Sequence, residues 1–227
     1  MTSEKNSNRN KVIVAIVAVV VAALAVALFV GGSDDSSSNG SNGSASVDDV
    51  PVDGLPNGEG ISNQPVEVVG TVLEPFASPN GDPAVGQPAP TLNGKSFDGT
   101  PISITPGDGR QYMVVFLAHW CPHCNAEIPQ LIKWKEAGSV PDGLQVIGIS
   151  TSVASDRPNY PPSEWILATG WPWPIIADSE ALDAAKAFGV TGFPFFALID
   201  GEGIVKVRVS GEVKPDVLDQ IVESALS

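Results

Sequence analysis

The stretch Phe116–Leu131, "FLAHWCPHCNAEIPQL", holds both cysteines and both histidines of the 227-residue chain. It follows a continuous apolar run, "YMVVFLA" at 112–118, which is the pattern of a central strand buried on both faces. It leads into a helix expected from about Cys121 to Ala137, with Ile128, Leu131, Ile132 and Trp134 as its apolar face and Gly138 as its stop. Cys121 then opens a helix at the carboxyl edge of a sheet. Unpaired backbone N–H groups and the positive end of the helix dipole favour a thiolate there. Two intervening residues put Cys124 one helical turn on, at bonding distance. Pro122 suits a first helical turn, and His123 brings positive charge near Cys121, which favours the thiolate and makes a disulfide the stronger oxidant.

Other chemistries fit less well. A closed metal site takes three or four ligands, and His119 and His123 lie in the same short stretch as the cysteines, where convergence on one ion is awkward. A purely structural disulfide here closes a four-residue loop, where the entropic gain is smallest. A cysteine hydrolase lacks a histidine downstream of the motif to act as base. A redox-active dithiol is the favoured reading. It needs no organic cofactor, because the dithiol is itself the redox group, and no metal ligands are assigned. A metal-binding or copper-delivery module is the alternative from another class, and a redox-inert binding domain is a third.

Downstream, "LQVIGIS" (144–150) and "PIIAD" read as buried strands, and "PPSEWILATG" (161–170) and "SEALDAAKAFGV" (179–190) as helices. "FFALID" and "IVKVRVS" flank Gly-Glu-Gly as an antiparallel hairpin, and "KPDVLDQIVESAL" closes as an amphipathic helix with Pro215 in its first turn. Upstream, "SFDGTPISI" (96–104) reads as two short extended pieces around a turn. The order implies a three-layer α/β domain over 85–227 with a central mixed sheet.

The N-terminal part has other properties. Val12 to Val30 is nineteen residues without a charge, amide or hydroxyl, roughly 28 Å as a helix and enough to cross a bilayer. Residues 1–11 carry Lys5, Arg9 and Lys11 against Glu4, so they are expected to be cytoplasmic and the rest extracytoplasmic. A cleaved signal peptide is the competing reading. Residues 31–84, rich in Gly, Ser, Pro and acid, are expected to form a flexible linker, although "PVEVVGTVLEP" could be a short strand or a stiff spacer. The net charge is −14. Without residues 1–30 it is −16, nine basic against 25 acidic residues, which disfavours nucleic acid and anionic membrane surfaces as partners. A tethered acidic domain is expected to be a monomer.

The sequence resembles the thioredoxin superfamily over about residues 85–225, and within it the membrane-anchored, exported branch of TlpA- and ResA-type proteins. "WCPHC" is similar to the family's active-site motif, Pro129 matches its helix-kinking proline, and "TGFPFF" resembles the loop that carries its cis-proline, here Pro194. The resemblance implies Cys121 as the exposed nucleophile and Cys124 as the buried resolving thiol. It implies substrate contacts at Trp120, Phe193 and Pro194. Glu127 coincides with the acid that tunes thiol acidity in ResA-like reductases, and Val115 stands where thioredoxin has a buried acid. The Pro-His dipeptide is similar to the oxidising DsbA type, whereas Glu127 and the scaffold resemble reductants. The implied function is membrane-anchored, extracytoplasmic thiol–disulfide exchange with exported proteins, with an integral-membrane redox partner. A dedicated reductant of apocytochrome or metallochaperone thiols is the alternative within that class.

Overall fold

The structure is a computed structural model that describes residues 61–226. Its elements are β1 (Glu67–Val69), β2 (Thr91–Lys95), β3 (Pro101–Ile104), β4 (Gln111–Leu117), α1 (Pro122–Glu136), β5 (Leu144–Ser150), α2 (Pro162–Thr169), β6 (Ile175–Ala177), α3 (Asp183–Ala187), β7 (Phe195–Ile199), β8 (Val205–Ser210) and α4 (Pro215–Leu226).

The apolar run becomes β4, the centre of a five-stranded mixed sheet ordered β6-β5-β4-β7-β8. Strands β4, β5 and β6 are parallel, joined through α1 and α2; β7 runs antiparallel to β4, and β8, antiparallel to β7, returns to the direction of β4. Tyr112 to Leu117 have no solvent exposure, as a strand covered on both faces requires. Alternation divides them. Met113, Val115 and Leu117 join a core with Ile128, Leu131 and Trp134 of α1, Trp165 of α2, and Leu218, Ile221 and Val222 of α4. Tyr112, Val114 and Phe116 join the opposite core with Leu92, Ile104, Ala184 and Phe188. Each fully buried Leu, Ile, Val or Phe contributes about 1.5–3 kcal/mol, so β4 tolerates polar substitution poorly.

The three-stranded antiparallel sheet β1-β2-β3 covers this second face together with α3. The expected linker therefore ends earlier than residue 84. β1 pairs with β2, and Leu73 and Phe76 are buried in the second core. Arg208 of β8 explains why so acidic a segment docks. Its guanidinium donates to Asp82 Oδ2 at 2.8 Å and to the carbonyls of Glu74 (2.9 Å) and Phe188 (2.7 Å), with both charged side chains out of solvent. Gly189, at φ +64°, permits the approach, because a Cβ there would lie 2.3 Å from the Glu74 carbonyl oxygen.

The helix expected over 179–190 shortens to α3. Leu182 before it is left-handed (φ 62°), and positive-φ Gly189 follows it. Val12–Val30 lies outside the described residues. Among those described, no helix is long and apolar enough to cross a membrane.

Candidate functional site

The carboxyl ends of β4, β5 and β6 and the start of β7 share one edge of the sheet. Phe116 pairs with Phe195, so Pro194 sits where β4 hands the chain to Cys121. Cys121 is the N-cap of α1, with extended backbone (φ −78°, ψ 119°) and no side-chain cap. The helix's first N–H groups are therefore left for whatever the sulfur carries. Both cysteines are free thiols.

Cys121, expected as the exposed nucleophile, is instead largely buried at 5% exposure, and its Sγ lies 3.6 Å from the Phe193 carbonyl oxygen, within reach of a weak S–H donation. The Phe193–Pro194 peptide bond is cis, and Pro194 is buried. The Trp120 ring meets Phe193 edge-on at 6.1 Å, and its indole N–H donates to the Ser152 carbonyl at 2.7 Å. Trp120, Cys121, Phe193 and Pro194, expected on the substrate side, are thus brought together.

Cys124 is fully buried, one turn along α1. Burial pushes its thiol far above the ordinary range. The Ala118 N–H, 3.5 Å from the sulfur, opposes that, and Cys121 and Glu127 add to it. Glu127, 1% exposed, faces the same interior. Its Oε2 accepts the Val213 N–H at 2.9 Å, and its Oε1 has no partner among the described residues. Burial pushes this carboxyl up to about 8, with Glu212 reinforcing the rise and the Val213 N–H opposing it. Near neutral pH it mostly holds a proton, in the region where the Cys124 thiolate must form.

The two histidines separate. His119 is fully buried, and both ring nitrogens are engaged by the β5–α2 loop (Thr151–Pro161): Nδ1 donates to the Pro158 carbonyl at 2.7 Å, and Nε2 accepts the Ala154 N–H at 3.1 Å. The partners fix the neutral tautomer, and burial holds the imidazole below its usual range. The His119 carbonyl accepts the Asn159 side-chain amide at 2.8 Å. Neither nitrogen is free for a metal. His123 is half exposed and pairs with Glu212 at 2.6 Å, so a charge on it meets a carboxylate.

Some contributors were not legible in the sequence. Asn125 donates to the Cys121 carbonyl at 2.9 Å and accepts the Trp165 indole N–H at 2.9 Å. Arg157 lies over the Trp120 ring, 4.9 Å from its centroid. A polar loop after a strand carries no signal for the Arg157 contact, and Asn125 reads as an ordinary polar helix residue because its partner Trp165 lies 40 positions away.

A central mixed sheet, a Cys-x-x-Cys at a helix N-terminus and a cis-proline facing it define a thioredoxin-like domain. The sequence pattern of the AhpC/TSA family matches residues 85–208, and the chain belongs to that family. It is similar to the thiol:disulfide interchange protein HelX of Rhodobacter capsulatus, 26% identical over 120 residues, covering 53% of this chain and 63% of that protein. It is also similar to the thiol:disulfide interchange protein DsbE of Escherichia coli K12, 27% identical over 144 residues, covering 61% and 72%. The match thus spans about six-tenths of the length of HelX. A thioredoxin-family thiol:disulfide interchange protein of Chlorobium tepidum superposes with a TM-score of 0.51 at 30% identity, covering 62% of this chain and 96% of its own.

Proposed function

We propose that the protein is a thiol–disulfide oxidoreductase working as a reductant of disulfides in exported proteins. Cys121 thiolate attacks one sulfur of the substrate disulfide and expels the other as a thiolate, forming a mixed disulfide. Cys124, giving up its proton, then attacks the Cys121 sulfur and releases the second substrate thiolate. Two protein thiols become one disulfide, and one substrate disulfide becomes two thiols. Glu127 accepts the Cys124 proton when it is ionised, a fraction that grows as pH rises toward 8, and Trp120, Phe193 and Pro194 seat the substrate strand.

The observation that carries this reading is the buried, raised pair Cys124 and Glu127 behind an N-cap Cys121 that faces the Phe193 carbonyl. The surroundings of His123 support this direction of electron flow. Its ring is matched with Glu212, which diminishes the positive charge that would otherwise favour the Cys121 thiolate and an oxidising potential. The membrane anchor Val12–Val30 and an extracytoplasmic location belong to the same proposal. They would hold the domain near an integral-membrane donor that recharges the dithiol.

Turnover of a defined substrate tests it. The reduced full chain should consume one peptide disulfide per chain, Cys121→Ser none, and Cys124→Ser should stop at a covalent mixed disulfide. Consumption by Cys121→Ser at the wild-type rate would overturn the assignment.

A further inference from the structure

We infer that Arg157 forms an acidic-residue subsite beside the dithiol, so that the preferred substrates carry a carboxylate next to the cysteine they present. The inference rests on the thiol–disulfide exchange proposed above and narrows its substrate class.

Arg157 stands in the β5–α2 loop, which leaves the same sheet edge as Cys121. The loop is held against the active-site turn by bonds from Trp120 to the Ser152 carbonyl, from His119 to the Pro158 carbonyl, and from Ala154 to His119. The Arg157 N–H also donates to the Ala154 carbonyl at 3.2 Å. An exposed guanidinium is thereby fixed over the Trp120 ring, the residue directly before Cys121. Stacking occupies a face of the guanidinium and leaves its edge, with its fork of N–H donors, for a carboxylate.

Ion pairs among the described residues engage Arg110, His123, Lys206 and Arg208, and Arg157 takes part in none of them, although Asp156 is its neighbour in the chain. Trp120 touches both Arg157 and Phe193, so a peptide lying along Phe193 and Pro194 passes within one ring of the guanidinium. The net charge of −14 opposes acidic substrates at long range, but at physiological salt that field is screened beyond about 8 Å, and the local cation decides.

The test uses the reduced full chain and two synthetic peptides. Each carries one cysteine capped as its methylthio disulfide, and they differ only in Glu or Gln on either side of that cysteine. The rate at which the protein's dithiol is oxidised is read for each peptide at about 0.15 M salt. The Glu-to-Gln rate ratio should fall about 2- to 5-fold from the wild type to Arg157→Gln, the range an exposed ion pair supplies, and further in Arg157→Glu. Arg157→Lys should retain most of the wild-type ratio. Comparing ratios between variants cancels the diffuse repulsion from the acidic domain. An unchanged ratio in Arg157→Gln and Arg157→Glu overturns the subsite and leaves the exchange reaction standing. Failure of both peptides to oxidise the wild-type dithiol overturns the reaction itself, and the subsite with it.

Discussion

The Val213 amide donates to one oxygen of Glu127 at 2.9 Å and leaves the other buried without a partner among the described residues, on the side of α1 that also buries Cys124. A single N–H cannot replace the water a carboxylate gives up on burial, so the carboxyl stays protonated until about pH 8. Its folded-state value lies above its ordinary 4.5. Its stabilising contribution is therefore fully present below pH 4.5 and is lost as pH rises toward 8. Subtracting the Glu127→Gln unfolding curve from the wild-type curve should isolate this loss, with a slope approaching about 1.4 kcal/mol per pH unit between those limits. A flat difference curve from pH 5 to 8 would mean that the carboxyl is ionised throughout.

His119 titrates in the opposite sense. Burial holds its folded-state value below 6.5, so the neutral ring stabilises above that pH, and the contribution is lost as pH falls through the folded value. Relative to His119→Gln, the wild type should lose stability on acidification below about 6.5, because a protonated Nε2 can no longer accept the Ala154 N–H. His119→Gln should start lower by about 1–3 kcal/mol at pH 7.5, from the lost backbone bonds, and lack this acid limb. Denaturant midpoints of the two proteins across pH 5–8 decide it.

The ion pair of Arg208 with Asp82 ties the segment before residue 85 to the sheet. Arg208→Met leaves the Asp82 carboxylate buried and unpaired, and should cost about 3–5 kcal/mol in urea unfolding. Combining it with Asp82→Leu should recover most of that loss. No loss in the single variant would mean that residues 70–84 are not part of the cooperative unit.

Differential burial of the cysteines predicts order of modification. Iodoacetamide at pH 7.5 should alkylate Cys121 in the native reduced chain and spare Cys124, which is fully buried and whose thiol burial keeps protonated. Peptide mapping reads the site directly. Equal labelling of both would show that Cys124 is open to solvent.

How far these residues could be read beforehand depended on whether their signal was local. Cys121, Cys124, Glu127 and Pro194 sit in short motifs whose spacing survives in sequence, and "YMVVFLA" could hardly be anything but the central strand. Asp82 and Arg208 are 126 positions apart, and each alone looks like an exposed charge. Composition therefore assigned residues 61–84 to a linker, because the cation that neutralises them is hidden in "IVKVRVS". His119 was legible only as a conceivable ligand. The actual partners of its ring are backbone groups of a loop 35 to 39 residues away, and backbone groups leave no trace in sequence. The helix over 179–190 was overestimated for a related reason: the left-handed Leu182 is set by its neighbours in the fold rather than by its own preference.

The most direct test of the central claim is the reduction potential of the Cys121–Cys124 couple in the full chain, equilibrated with a dithiol buffer and followed by Trp120 fluorescence. With His123 matched by Glu212 and with Glu127 and Cys124 buried together, a value near about −270 mV or lower is expected, that of a reductant. A value near about −120 mV would contradict it and make the protein a donor of disulfides.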